Sequence, residues 1–258
     1  MTASCAIAGV GAFSARFGSA SELLANTVRD TPAVAGGELL DKHSRRRASD
    51  LTKACAEVYR EALVQSGFDA LEVAAVFGSA VGEANVTIGL LEQLWRGPGM
   101  LSPMRFAASV HNAAAGVVSI GTKNTGFTTA LGADFDTPAM ALLEGMAFAL
   151  VHDTPVIVVC ADEGAPTNLV DEDEGWEFLA CAVALAPAAR APDGAPRISA
   201  PARGGEAVEL RAPSLPRSLA QNPCVGLLDL IVGLSRRDQA SVRLDRGRGH
   251  GYTVDVIR

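Results

Sequence analysis

The chain has 258 residues, of which 48% are apolar and 20% charged, and its formal net charge is −7. That balance predicts a packed core in one large domain or two small ones. The lack of a long basic run argues against a nucleic-acid partner. The apolar runs, such as 139–150, carry a charge or fall short of a membrane span.

The N-terminus MTASCAIAGVGAF has no basic region ahead of its apolar run, so it reads as a first strand and not as a signal peptide. Ser4–Phe13 alternates small and β-branched residues. Gly18 and Ser21 then turn the chain into a helix from Ser21 through Val28. Gly9-x-Gly11 is half of a dinucleotide fingerprint, but Ser14 holds the third glycine position and no acid closes a second strand. The two glycines are read as small residues where a strand packs closely.

Residues 30–48 are polar and include Arg45, Arg46 and Arg47. Ser49 or Asp50 can cap the next helix, along which Leu51, Ala54, Cys55, Val58, Ala62 and Leu63 recur at helical spacing until Gly67. Val73–Val81 is a continuous apolar run that suits a strand buried on both faces. Residues 82–95 form a helix with Val86, Leu90, Leu91 and Leu94 on one side, stopped by Gly97, Pro98 and Gly99.

The segment 102–145 is the most informative. After Ser102 and Pro103 comes a small-residue helix over 109–122, then a turn at Gly126 and an apolar strand to about Ala133. A sharp turn at Asp134, Phe135 and Asp136 opens into another apolar helix. A strand that turns abruptly into a buried helix is a place where folds expose a nucleophile beside helix N–H groups. Here the turn offers Asp134, Phe135, Asp136 and Thr137, and no Cys or Ser stands at the corner.

Thr154–Ala161 is a further buried strand. Asp162–Glu177 is a loop with seven acids. Phe178–Leu185 is another strand. Such alternation predicts an α/β fold with a mostly parallel sheet flanked by helices. Composition shifts near Pro187, which divides the chain into a main body, 1–187, and an extension, 188–258. The extension has an irregular connection over 187–216, a helix over 222–234 and short strands over 241–245 and 252–257.

Cys5, Cys55, Cys160, Cys181 and Cys224 are scattered, odd in number and set in apolar segments. That is the habit of reduced, buried thiols in a cytoplasmic protein. No Cys/His cluster has metal spacing, and no cofactor is expected. Cys160 is the rival nucleophile, since it ends a strand near the corner, but acids follow it and raise a thiol pKa. His111 and Asn112 either hold the site loop or are satisfied interior polar groups. The acidic loop is solvated or binds a cation. Arg45–Arg47 meet an acidic partner or are a solvated approach to the helix. Ala113, Ala114, Ala115 and Gly116 allow either close helix packing or open space beside the helix.

In this order the chain resembles the N-terminal half of a β-ketoacyl synthase, a thiolase-fold enzyme. The segments that carry the resemblance run through most of residues 4–187. They are CAIAGVGAFSARFGSASELL, RRRASDLTKACAEVYREAL, SAVGEANVTIGLLEQL, SPMRFAASVHNAAAGVVSIG and GFTTALGADFDTP. The Ser-Val-His-Asn form is similar to that of shortened synthase-like proteins of aryl polyene clusters. Two departures stand out. The nucleophile position falls on Phe135, or on Asp134 with a one-residue gap, and neither forms a thioester. Only His250 follows Pro187, in an Arg/Gly-rich setting without the family's histidine motifs.

The combination resembles a chain-length factor. The resemblance implies a non-catalytic subunit that pairs with an active ketosynthase and shapes its acyl tunnel in aryl polyene, polyketide or fatty-acid-like synthesis, with acyl carrier protein as an indirect partner. It makes Val110, Ala113, Ala114 and Val117 candidates for the tunnel wall. It makes Phe127, Thr128, Thr129, Ala130, Leu131, Gly132 and Ala133 the strand that pairs across the dimer. The alternatives are an active acyltransferase or thiolase-like enzyme using Cys160, and a scaffold that touches no acyl chain.

Overall fold

The computed structural model describes residues 3–258 apart from 28, 98, 167, 169, 205–214 and 239, and leaves out the Glu172 side chain. Strand β1 covers Ser4–Phe13. Helix α1 spans Ala20–Leu24, with the Ser19 hydroxyl accepting from the Glu22 N–H. The expected helix is therefore shorter than predicted, and its expected end, Val28, lies outside the described residues. Helix α2 is Lys42–Arg47. Helix α3, Asp50–Ser66, starts at the Ser49 cap and stops at Gly67, whose φ of +67° suits a residue without a Cβ.

Strand β2 (Ala74–Gly78) and helix α4 (Ala84–Trp95) follow. The expected helix over 109–122 starts later, as α6 (Ala113–Thr122), and a separate short helix, α5 (Pro103–Ser109), precedes it. Val110 has extended backbone, φ −74° and ψ 147°, so the helix breaks there. Ser102 caps α5 and Pro103 opens it, the position where proline is preformed for a helix. After β3 (Thr128–Leu131), helix α7 runs Thr137–His152. Strands β4 (Val156–Asp162) and β5 (Leu179–Ala186) are wholly buried. The extension supplies β6 (Arg197–Ser199), β7 (Ala202–Arg203), α8 (Arg217–Ala220), α9 (Val225–Ser235), β8 (Ser241–Arg243) and β9 (Tyr252–Ile257).

The strands form one sheet in the order β3-β2-β4-β5-β1-β6-β9-β7, with β8 also on β9. The layered α/β architecture with flanking helices matches expectation, but strand direction does not. Parallel pairing is confined to β3-β2-β4. Strand β5 is antiparallel to β4 and to β1, and the extension strands pair antiparallel as well. The reason is local. Helices α4, α5, α6 and α7 carry the chain back between β2, β3 and β4. Between β4 and β5 the described residues hold only a 3₁₀ turn at Glu172–Glu174, so β5 returns as a neighbour of opposite sense.

Alternation along β4 divides the core. Val156, Val158 and Cys160 pack with α7 and α9, while Ile157, Val159 and Ala161 pack with α3 and α6. Helix α3 lies so close to β1 that a Cβ on Gly9 would sit 2.5 Å from the Ala62 carbonyl, and one on Gly11 2.3 Å from that of Val58. The half-fingerprint is thus a close-packing device. Helix α9 is buried on every side from Val225 to Gly233 and packs between β5 and β8.

Candidate functional site

The corner after β3 is built by hydrogen bonds of a single threonine. Thr137 Oγ1 donates to the Asp134 carbonyl at 2.7 Å and accepts from the Ala133 N–H at 3.0 Å. Asp134 stands at the apex with φ +51°, a left-handed conformation that Asp tolerates better than bulkier residues. It is exposed, Phe135 is half-buried and Asp136 is buried. Both positions assigned to the lost nucleophile therefore lie on the turn, and neither carries a thiol or hydroxyl.

The extension reaches this corner. The His250 N–H donates to Asp136 Oδ1 at 2.9 Å, and its ring Nδ1 pairs with Asp136 Oδ2. The Arg248 guanidinium lies 4.0 Å from the centre of the Phe135 ring. A cavity of about 320 Å³ opens beside it, walled in part by Asp134, Phe135, Asp171, Glu174, Trp176 and Arg248. The sequence reading missed His250 and Arg248 as corner residues, because nothing in their Arg/Gly setting signals a contact made 114 residues away.

The acidic loop is not one solvated cluster. Asp162 is fully buried and accepts from Ser79 Oγ at 2.5 Å, from the Ala80 and Val81 N–H groups at 3.0 Å each, and from the Cys224 thiol at 3.0 Å. Burial raises its pKa, and those four donors oppose the rise. Glu163 accepts from the Asn85 N–H at 2.7 Å, and Glu177 pairs with Arg16 at 2.7 Å. Among the described residues no group of three or more His, Cys, Asp or Glu side chains is arranged to hold a metal.

Cys160 is fully enclosed, opposite Cys181 across the β4–β5 ladder. Burial raises the pKa of Cys181 and of Cys224 well above that of a free thiol. A thiol at the Cys160 position faces the core and not the corner cavity.

His111 Nε2 lies 2.9 Å from the Ser79 carbonyl, and the ring packs against Gly82 and Gly132, so it ties the ends of β2 and β3. Asn112 is exposed at the N-cap of α6 and makes no side-chain capping bond. On α6 itself, Ala114, Ala115 and Val118 are buried in the α3-side core. Ala114, a candidate for the tunnel wall, turns inward because it shares a helical stripe with Val118. The open face holds Gly116 and Ile120, flanked by the half-buried Ala113 and Val117. Val110 precedes the helix and is 39% exposed.

Strand β3 ends the sheet. It pairs with β2, and among the described residues no strand pairs with its outer edge. Of the expected run Phe127–Ala133, Thr128–Leu131 form the strand. Gly132 and Ala133 bend into the corner, where a Cβ on Gly132 would lie 2.7 Å from the Ser79 carbonyl. Phe127 is exposed and stacks on Phe148 with ring centres 4.4 Å apart. Nearby helices α4, α5 and α6 turn Leu91, Leu94, Trp95, Met104, Phe106 and Ile120 outward, Trp95 at 92% exposure. The apolar stripe predicted on α4 therefore faces solvent at Leu91 and Leu94, with Leu90 buried. Arg46 and Arg47 on α2 are exposed and Arg45 half-buried.

Comparison with known proteins places this geometry. The family model for the N-terminal domain of β-ketoacyl synthases matches residues 24–221. No curated protein sequence matches the chain. Among solved structures, the ketosynthase ApeO in complex with its chain length factor ApeC, from Xenorhabdus doucetiae, is similar with a TM-score of 0.69 and 21% identity, over 99% of each chain. The ishigamide ketosynthase/chain length factor has a TM-score of 0.62 and 16% identity, over 76% of this chain and 65% of that one. A type II polyketide ketosynthase bound to the hexaketide, in complex with its acyl-carrier protein (AntDE:AntF), has a TM-score of 0.58 and 14% identity, over 74% of this chain. The chain spans 65% of the matched chain in each of the last two. At these identities the likeness shows a shared thiolase-like fold.

Proposed function

Because the chain belongs to the β-ketoacyl synthase N-terminal domain family, we propose that it is a non-catalytic, chain-length-factor-like subunit of an active ketosynthase. The observation that carries this reading is the corner. The backbone keeps the strand–turn–helix form, while Asp134, Phe135 and Asp136 occupy the turn and the extension closes over them. A carboxylate and a phenyl ring accept no acyl group as a thioester.

The bare β3 edge supports pairing with a second chain. Unpaired strand edges and contiguous exposed apolar side chains are liabilities unless a partner covers them. The ketosynthase would add its own strand to β3 and bury Leu94, Trp95 and Phe106, giving a two-chain sheet. Each apolar Å² removed from water contributes about 25 cal/mol. The acyl chain stays on the partner's nucleophile and on its carrier protein. This chain's part is steric: the open face of α6, with Ala113, Gly116 and Val117, stands as the wall that limits chain growth. The products in view are aryl polyene, polyketide or fatty-acid-like chains. Residues 1–187 act as the synthase-like body and 188–258 as the extension that completes it. The five free, buried cysteines suit a reducing cytoplasm.

Two measurements test the proposal. Co-expression with an active ketosynthase of the same source should give a stable heterodimer, and a well-behaved monomer that ignores such synthases would sink the idea. Incubation with acyl carrier substrates followed by mass spectrometry should show acyl-cysteine on the partner alone. The enclosure of Cys160 disfavours the enzyme reading, which requires an acylated cysteine on this chain.

A further inference from the structure

The loop from Asp245 to Gly251 is built as a strap. The Asp245 carboxylate, in a residue 2% exposed, accepts from the N–H groups of Gly247 at 2.8 Å, Gly249 at 3.1 Å and Gly251 at 2.7 Å. Arg243 Nε donates to it as well, at 2.5 Å. Gly247 and Gly251 have φ of +85° and +77°, which the fold of the strap requires. Arg246 anchors its start to the buried Asp229 through two bonds of 2.5 and 2.6 Å. His250 clips its end to Asp136. Gly249 passes so near that a Cβ there would lie 2.3 Å from Asp136 Oδ1.

None of these bonds involves the Arg248 side chain. Its guanidinium points into the corner cavity instead, over Phe135, with Nη1 donating to the Gln221 carbonyl at 3.0 Å. The same cavity is walled by Asp134, Asp171, Glu174 and Trp176. One cation thus stacks on Phe135 in a cavity whose wall also carries Trp176 and three carboxylates, which is the chemistry of a seat for a guanidinium or amine group.

We propose that the corner cavity is a cation seat filled in cis: the strap delivers Arg248 as a tethered ligand onto Phe135 and so plugs the degenerate corner. The plug is separable from the strap's own fold, which Asp245, Arg246 and His250 hold. It does not depend on the identity of any partner subunit.

The two tryptophans make it measurable. With the exposed Trp95 replaced by Phe, Trp176 reports on the cavity. Arg248→Ala in that background should raise the acrylamide quenching constant of Trp176, because it removes part of the cavity wall that the two side chains share. Guanidinium chloride at about 0.1 M, the range a cation–π contact can hold, should restore the parent value in the variant, equimolar sodium chloride should not, and neither should alter the parent. Arg248→Gln serves if the alanine variant folds poorly. Unchanged quenching in a folded variant, or rescue by sodium chloride as good as by guanidinium, would overturn the proposal. Failure of both variants to fold would do so too, because it would make Arg248 part of the strap's framework.

Discussion

The sheet ends differently on its two sides. Past β1 it continues into β6, β9 and β7, and of the extension's described apolar residues Leu227, Leu228, Leu230, Val242 and Val254 are buried. Past β2 it stops at β3, beside which Phe127 and Ile120 of α6 remain outside, with Leu94 and Trp95 of α4 also exposed. The first end is continued by the chain's own tail. At the second, among the described residues, no strand covers the edge. A chain that can complete one end has left the other for a second molecule, which is the physical core of the proposed pairing.

The largest effect should come from the finished end. A Cβ on Gly226 would fall 1.7 Å from the Leu244 carbonyl, so Gly226→Ala forces α9 away from β8. It should cost about 3 kcal/mol or more, seen as a large fall in Tm. Were it neutral, α9 would not be the clamped element described. At the open end the effects should invert. Leu94→Asp with Trp95→Ser should shift the stability of the isolated chain by no more than about 0.5 kcal/mol. In the heterodimer the same pair should weaken association about ten- to a hundredfold, read by calorimetric titration, since anchors of this type carry most interface energy. Equal sensitivity in both states would erase the distinction between the two ends.

Acidification should strike the finished end next. The Arg16 hydrogen bond, helped by Ser218, outweighs burial and holds the Glu177 carboxyl below its ordinary pKa. Burial alone would raise Asp245, but Arg243 and the Gly247 and Gly251 N–H groups outweigh it and hold it below as well. A depressed folded pKa stabilises the fold above the ordinary carboxylate range, and that stability is lost as pH falls into the range and through the depressed values. Hydrogen exchange should therefore quicken in 245–251 on acidification before it does in β4 and β5. The effect on the isolated chain should also be small at α6. Val117→Phe should change its stability by less than about 1 kcal/mol while shortening the product made by the complex. Unchanged product length would favour a scaffold that never meets the acyl chain.

Much of this was legible in the residues. Apolar runs and caps located β1, α3, β2, β4, β5, α9 and β9 to within a few residues, because burial period and capping chemistry are local. The break at Val110–Asn112 was not visible, since Val, His and Asn allow helix and extended backbone alike. Nor was the inward turn of Ala114, which depends on where α3 packs and not on composition.

The sequence by itself determined that Asp134, Phe135 and Asp136 stand at the corner, with no thiol among them, and that five cysteines lie in apolar segments. Only the tertiary structure decided that β5 runs against its neighbours, that Cys160 faces the core, and that Arg248 and His250 close over the corner from more than a hundred residues away. Hydrophobic period and turn chemistry act between neighbours in the chain. The direction of a returning strand, and the carboxylate that a distant histidine meets, depend on how the layers pack, which no local pattern encodes.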